Sequence, residues 1–347
     1  MTPERGIRFF PWAGRRVAYA VSGDGPPLVV AAWWVSHVEH DWQDQRFRRF
    51  FEALGKGYGL VRYDRPGVGL SDRDAAPGPL TIDAEVELLG GLLDELGCER
   101  AVLFGGSSGG CAAIAFAARF PERVERLMLY GTYADGSAIA PPNVRAAVVG
   151  AVRSHWGLGS RLLADVFLGE EGSAERRRFV QAQQESCDAQ TAAALLEHVY
   201  DTDVRAQLEY VRAPTVIVHR RADRAIPYEL GRQLAAGISG ASLVSLGGSA
   251  HFPWLGDGPS VARALRTGLS ADVRDASIDE KVLPGLLSPR EKEVLSLVAE
   301  GMTEADIAKR LVVSPHTVHR HMANIRAKLV RGSAAAAVAE ATRRGLI

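Results

Sequence analysis

Leu103-Phe104-Gly105-Gly106-Ser107-Ser108-Gly109-Gly110-Cys111 joins two segments of different habit. Ala101 to Phe104 is a short apolar run suited to a buried parallel strand, and Cys111 to Ala118 is a run of small residues suited to a helix packed closely on a sheet. The join has the form G-x-S-x-G, a nucleophile elbow. A serine on so sharp a strand-to-helix turn takes a strained backbone conformation, and glycines beside it let strand and helix pass closely. The hydroxyl then stands clear, and the next N–H, at the positive end of the helix, faces the place where an acyl oxyanion forms. Two registers satisfy the pattern, Gly105 to Gly109 and Gly106 to Gly110, so Ser107 and Ser108 are both candidates.

A chain of 347 residues, 47% of them hydrophobic, can bury a large core and predicts two domains or one domain with an appendage. The net charge of zero conceals an asymmetry. Leu287 to Ile347 carries 10 Lys and Arg against 6 Asp and Glu, or +4, which leaves 31 against 35, or −4, for the rest. A basic tail on a mildly acidic body points to a polyanionic partner. Cys98, Cys111 and Cys187 are odd in number and lack paired metal-ligand spacing, so no disulfide framework, metal or cofactor is expected and a reducing cytoplasm fits. Met-Thr-Pro-Glu-Arg has no apolar segment behind it, and the uncharged run Ala101 to Ala118 is interrupted by the elbow, so no membrane span is expected.

Ahead of the elbow, Ile7 to Phe10 and Val17 to Val21 predict an edge hairpin, Leu28 to Ala32 a buried strand, Phe47 to Leu54 a short amphipathic helix and Gly59 to Tyr63 another strand. Ile82 to Leu96 repeats Leu and Val at helical spacing and stops at Gly97. Arg126 to Gly131 is the next strand. Strands alternating with helices predict an α/β fold with a parallel sheet covered on both faces. From Thr132 to Arg212 the alternation gives way to helical patterns at Arg161 to Phe167, Ala174 to Gln184 and Thr191 to Val199. Pro214 to His219 and Ser242 to Leu246 then resume the strands.

The elbow resembles the Gly-His-Ser-Met-Gly-Gly turn of α/β-hydrolases, whose following helix commonly runs into Pro-Glu-Arg-Val, here Pro121 to Val124. That register selects Ser107. Asp64-Arg65-Pro66-Gly67-Val68-Gly69-Leu70-Ser71 is similar to the structural Asp-x-x-Gly-x-Gly-x-Ser turn of the same family. The resemblance implies a triad in the order Ser107, Asp223, His251, each residue in a loop at the carboxyl end of a strand, with Asp135 as the alternative acid. It implies oxyanion N–H groups on Ser108 and Trp34, and a helical cap over about 132–212 that encodes ligand shape; His155, Trp156 and His198 are candidates to line it. Relatives usually carry glycine where Trp33 stands, which predicts a narrowed pocket and slow turnover unless Trp33 packs in the core.

After Leu265, Ser270 to Lys281 is polar and without apolar periodicity. Ser288-Pro289-Arg290-Glu291, Thr303-Glu304-Ala305-Asp306 and Ser314-Pro315 each open a helix. In the third, Val318, Met322, Ile325 and Leu329 form one stripe, opposite His316, Arg320, Ala323, Asn324 and Ala327. From Ile307 to Arg331 there are six Lys or Arg and no acid, the composition of a helix that lies in a DNA major groove. Leu287 to Ile347 resembles the LuxR-type helix-turn-helix, an all-α unit of four helices; the resemblance implies that the third enters the groove and the fourth, Ala334 to Arg344, mediates dimerisation. Candidate DNA contacts are Lys309, His316, Thr317, His319, Arg320, Asn324 and Arg326, with His319 standing where many relatives have lysine.

The expected organisation is a hydrolase-like domain over 1–269, a linker over 270–284 and the DNA-binding domain over 285–347. The chain then reads as a transcriptional regulator that binds a small-molecule signal, with hydrolysis of that signal by the triad (ester, lactone or amide) left open, acting as a homodimer on a pseudo-palindromic operator. The alternative is a working ester or lactone hydrolase whose helical tail serves dimerisation or targeting.

Overall fold

The computed structural model describes residues 4–73, 81–169, 171–267, 289–311 and 333–343, together with Val318, His319, His321, Met322, Ile325, Arg326 and Leu329. They divide between two units, Met1–Ala271 and Asp272–Ile347. The expected linker, 270–284, lies outside the described residues.

In the first unit the apolar runs become the strands of one sheet. Strands β1 (Glu4–Trp12) and β2 (Arg15–Ser22) form an antiparallel hairpin; β3 (Pro27–Ala31), β4 (Gly59–Tyr63), β5 (Ala101–Gly106), β6 (Val124–Tyr130), β7 (Thr215–Arg220) and β8 (Ser242–Leu246) follow. The order is β1-β2-β4-β3-β5-β6-β7-β8, with β2 antiparallel to β4 and every later pairing parallel. Helices on the sheet are α1 (Val38–Gln43), α2 (Gln45–Leu54), α3 (Ile82–Glu95) and α4 (Ser108–Arg119). Between β6 and β7 come α5 (Pro142–Ser154), α6 (Trp156–Leu168), α7 (Ser173–Ser186) and α8 (Ala189–Asp201), and α9 (Tyr228–Gly237) and α10 (Gly258–Thr267) complete the unit.

Period-two alternation along each strand sends side chains to opposite faces. Val29, Leu103, Leu127 and Ile217 join the core under α3, α4 and α9, whereas Leu28, Val30, Phe104, Met128 and Val218 join the one under α2 and α10. Each such side chain, once fully buried, contributes about 1.5–3 kcal/mol relative to leaving it in water. Helices α1, α5, α9 and α10 were not read from the sequence. Helix α1 is too short to show an apolar period, and its start is fixed by the His37 ring, whose Nδ1 accepts the His40 N–H at 3.2 Å. Helix α5 opens on Pro142 at its first turn and buries only Val149 and Val152, so its apolar stripe is too thin to read.

The second unit contains α11 (Pro289–Ala299), α12 (Glu304–Arg310) and α13 (Ala334–Arg343), with helical backbone at the described positions from Val318 to Leu329. The predicted stripe is the core: Val318, Met322, Ile325 and Leu329 pack with Val294, Leu295, Ile307, Ala337 and Ala341. Thr303 caps α12, its hydroxyl accepting the Asp306 N–H at 3.3 Å and donating to the Asp306 carboxylate at 2.6 Å. Ser288 and the Ser314-Pro315 opening lie outside the described residues. Among the described residues no helix is long and apolar enough to cross a membrane.

Candidate active site and candidate nucleic-acid interface

The elbow is built from close approaches that exclude side chains. A Cβ on Gly105 would lie 2.7 Å from the Gly110 Cα, one on Gly109 would lie 2.9 Å from the Ala32 carbonyl oxygen, and one on Gly110 would collide with the Thr132 side chain. Between these glycines Ser107 adopts φ 50°, ψ −132°; Ala13, in the β1–β2 turn, is the other described non-glycine residue with positive φ. The two serines of the motif then part company. Ser107 is half-buried and holds the strained corner, whereas Ser108 is the first residue of α4, 4% exposed, its hydroxyl facing Arg65 Nη1 at 3.4 Å. At the start of α4 the Gly110 N–H donates back to the Ser107 carbonyl at 3.0 Å, and the Ser108 N–H, as the first of the helix, has no acceptor one turn before it.

Asp223 and His251 meet at the carboxyl ends of β7 and β8. His251 Nδ1 donates to Asp223 Oδ2 at 2.9 Å, while Asp223 Oδ1 accepts the N–H groups of Ala225 at 2.9 Å and Ile226 at 3.2 Å. Burial pushes the Asp223 carboxyl upward, but the adjacent imidazole and those N–H groups outweigh it and hold the pKa below the ordinary carboxylate value. With Nδ1 protonated, Nε2 is left as the basic nitrogen. The segment after β6 links this pair to the elbow. The Ser107 N–H donates to the Tyr130 carbonyl at 3.0 Å, and Thr132 Oγ1 donates to the Ser107 carbonyl at 2.6 Å. Between them Gly131, at φ 51°, lies so close that a Cβ would stand 3.2 Å from Asp223 Oδ2 and 3.5 Å from the His251 ring. Asp135, the alternative acid, is engaged elsewhere: it accepts the Ser137 N–H at 2.9 Å and pairs with Arg205 at 3.1 Å.

The tryptophans after β3 point to opposite cores. Trp33 packs on Phe47, Phe51 and Trp254 at centroid distances of 5.8, 5.9 and 5.3 Å, among the residues under α2 and α10. Trp34 faces the cap, its Nε1 donating to the Ala192 carbonyl at 3.2 Å and its ring meeting Trp156 and Phe167. The turn expected to be structural is so. The Asp64 carboxylate accepts Ser36 Oγ at 2.7 Å and the Leu70 N–H at 3.0 Å, tying the loop that carries Trp34 to the turn after β4.

Of the cap candidates, Trp156 lies against Trp34, His155 is exposed and caps α6, and His198 sits on α8 with Nε2 3.7 Å from Glu85 Oε1. A groove of about 1390 Å³ runs between α5, α8 and the turn after β4, lined by Arg145, Arg153, Thr191, His198 and Tyr200 among others. It contains none of the residues around the elbow, and its rim includes Arg73 and Thr81, which flank a stretch outside the described residues. The Asp223–His251 pair, not this groove, adjoins the segment after β6 that is bonded to the elbow. His37, Glu39 and His40 also gather their polar atoms within 4.8 Å. Because His37 Nδ1 accepts the His40 N–H, its Nε2 carries the proton, and a metal there would have to break the α1 cap.

Three contributors were missed in the sequence. Arg220, fully buried at the end of β7, donates to the carbonyls of Ala250, Phe252 and Leu255 and so holds the loop bearing His251. Phe167 accepts the His251 N–H at 2.8 Å and lays its ring 5.5 Å from the imidazole. Arg65 and Glu85 form a buried ion pair at 2.7 Å beneath the elbow. A cation ending an apolar strand and an acid inside an apolar helix face were the available signals.

In the second unit Lys309 is exposed on α12. His319 is exposed, with Nδ1 3.3 Å from Glu304 Oε2, and Arg326 Nε donates to the Met322 carbonyl at 3.3 Å. His316, Thr317, Arg320 and Asn324 lie outside the described residues.

Comparison with known proteins accords with both units. Residues 36–257 match the α/β hydrolase fold family, and residues 285–341 match the family described as bacterial regulatory proteins, luxR family. A Pseudomonas putida protein named 2-hydroxy-6-oxononadienedioate/2-hydroxy-6-oxononatrienedioate hydrolase 2 is 30% identical over 240 residues, covering 66% of this chain and 83% of the relative. The crystal structure of a hydrolase from Pseudomonas aeruginosa PA01 superposes with a TM-score of 0.66 at 27% identity, over 77% of this chain and 99% of that one. The enol-lactonase from Burkholderia xenovorans LB400 gives 0.63 at 25% identity, over 76% and 100%. The chain thus belongs to the α/β-hydrolase fold family and carries, behind that domain, a LuxR-type helix-turn-helix domain.

Proposed function

We propose that the protein is a DNA-binding transcriptional regulator whose hydrolase domain recognises a small ester or lactone and hydrolyses it at Ser107. The Asp223–His251 hydrogen bond beside a serine held at φ 50° carries this reading. His251 Nε2 takes the Ser107 proton as Oγ attacks the acyl carbon, and the N–H groups of Ser108 and Trp34 receive the oxyanion. The alkoxide leaves with the proton from His251, and water, activated by the same nitrogen, releases the acid. Trp33 buries its indole away from Trp34, which removes the steric objection to turnover. Relatives named as a hydrolase and an enol-lactonase support the hydrolytic reading, the second with a lactone in its name.

Occupancy of the site is the signal. A ligand that favours one cap arrangement changes how a pair of helix-turn-helix domains meets a pseudo-palindromic operator, by its differential affinity for the two states. A pure receptor is the second reading, favoured by a cap that is bonded down through His251 N–H to Phe167 and Trp34 to Ala192. Ser107→Ala separates the two. We expect it to abolish p-nitrophenyl ester or lactone hydrolysis while leaving operator binding, and ligand affinity to within about tenfold, since one neutral hydrogen bond is worth about 0.5–1.5 kcal/mol. Wild type inert to a broad ester panel yet tightly liganded makes the pocket a receptor; hydrolysis lost in Ser108→Ala and retained in Ser107→Ala moves the nucleophile by one residue.

A further inference from the structure

The groove between α5, α8 and the turn after β4 contains a cation that the described residues leave unmatched. Arg145, half-buried on α5, lines it, and its guanidinium lies 5.9 Å from the centre of the Tyr200 ring on α8. Its Nε is buried without an acceptor, and among the described residues no carboxylate comes within ion-pairing distance. The other arginines of the lining are held. Arg153 pairs with Glu197 at 2.6 Å, and Arg73 on the rim spans the carbonyls of Gly69 and Glu185 at 2.6 and 2.9 Å. A guanidinium taken partly out of water without a partner carries a cost that a carboxylate removes through charge-assisted hydrogen bonds to Nη1 and Nη2.

Volume and charge narrow the ligand. About 1390 Å³ is room for a drug-sized molecule, and Val149, Leu195 and the Tyr200 ring supply apolar wall. The described lining carries Arg73, Arg145 and Arg153 against Asp188, Glu197, Asp201 and Asp203, three against four, or −1. Glu197 is matched by Arg153 and Asp203 by Arg205, Asp188 accepts the Thr191 N–H at 2.7 Å, and Asp201 is exposed. His198 adds no charge near neutral pH, since burial lowers its pKa to about 4. A dianion such as a phosphate monoester meets more acid than cation here, whereas a single carboxylate needs only Arg145.

We infer that this groove is a second ligand site, separate from the elbow, that takes a small monocarboxylate with an apolar or aromatic body, its charge on Arg145 and its body against Val149 and Leu195. The Tyr200 hydroxyl, which makes no hydrogen bond among the described residues, is a second donor on the same wall. Because Arg145 and Val149 come from α5 and Leu195 and Tyr200 from α8, the bound molecule ties those two helices together. The lining shares no residue with the elbow or the Asp223–His251 pair, so the site goes beyond the hydrolase reading and stands whether or not Ser107 turns anything over.

The test titrates the full-length protein calorimetrically with phenylacetate, 1-naphthaleneacetate and cyclohexylacetate, and with the neutral amide of each. We expect at least one acid to bind about tenfold or more tighter than its amide, the scale of a hydrogen bond to a charged group. Arg145→Met should remove that preference while leaving amide affinity within about threefold. Ala146→Trp, which fills the groove from an exposed position on α5, should abolish binding of acid and amide together. Hydrogen exchange in Pro142–Ser154 and Ala189–Asp201 should slow when the acid is added. Equal affinity for every acid and its amide, an undiminished preference in Arg145→Met, protection confined to the loop bearing His251, or no binding of any acid at millimolar concentration overturns the inference. None of these results bears on the hydrolase reading, which Ser107→Ala decides separately.

Discussion

Glu85→Gln keeps the shape of a side chain on α3 and removes its charge, leaving the Arg65 guanidinium in the core. Both side chains are at most 3% exposed, and Nε and Oε1 are 2.7 Å apart. At that distance two unit charges at an effective dielectric of about 20 attract by about 6 kcal/mol, and desolvation of both takes back a large part. Burial also raises the Glu85 pKa, with Arg65 opposing, so the ionised form is already held at a cost. Removal of one partner from such pairs costs about 3–5 kcal/mol, and the lower end, about 3 kcal/mol, is expected here because the Ser108 hydroxyl at 3.4 Å still faces the guanidinium. Trp12, Trp33, Trp34, Trp42, Trp156 and Trp254 account for every tryptophan in the chain and all belong to the first unit. Tryptophan fluorescence during urea unfolding therefore follows that unit in the intact protein, and the loss is read as a fall in midpoint at unchanged slope. Arg65→Met with Glu85→Leu, which replaces both charges by apolar groups, should recover at least half of it. A single-variant loss below about 1 kcal/mol, or a double variant no more stable than the single, refutes the reasoning.

Other consequences are as direct. Burial, with Arg65 second, lowers the His198 pKa from 6.5 to about 4, so between those values the unfolded chain binds the extra proton and wild type loses stability as pH falls. His198→Gln lacks that loss, up to about 3 kcal/mol, and thermal melts near pH 7 and pH 4.5 should show the gap between variant and wild type moving in the variant's favour; a constant gap counts against it. Arg220→Met strips three carbonyls of their donor and frees the loop bearing His251, so ester kcat should fall more than tenfold while KM moves little; an unchanged kcat removes Arg220 as a positioning residue. Lys309→Ala should weaken every DNA sequence alike and reduce the salt slope by about one, whereas Arg320→Ala should cost about 1–3 kcal/mol on the preferred operator alone. Binding isotherms on matched and scrambled sites at two salt concentrations decide between them.

Local chemistry was enough to read much of this protein. The elbow was legible because few residues tolerate a strand-to-helix turn that tight, and the helix-turn-helix core because Val318, Met322, Ile325 and Leu329 repeat at helical spacing and bury together. The alternating burial of β3 and β5 to β7 likewise follows from period two and an apolar run. What lay beyond reach was whatever depends on residues distant in the chain meeting in space. Trp33 and Trp34 are adjacent and chemically identical, and only the packing of α2 on one side and of α6 and α8 on the other sends one to the core and one to the cap. Arg65 and Glu85 are 20 residues apart, and Arg220 reaches carbonyls 30 to 35 residues on, so neither pairing leaves a periodic trace. Sequence pattern records which face of an element is apolar. Which elements those faces meet, and so which charges find each other in the core, is set by how the sheet twists and how the helices between β6 and β7 pack on it.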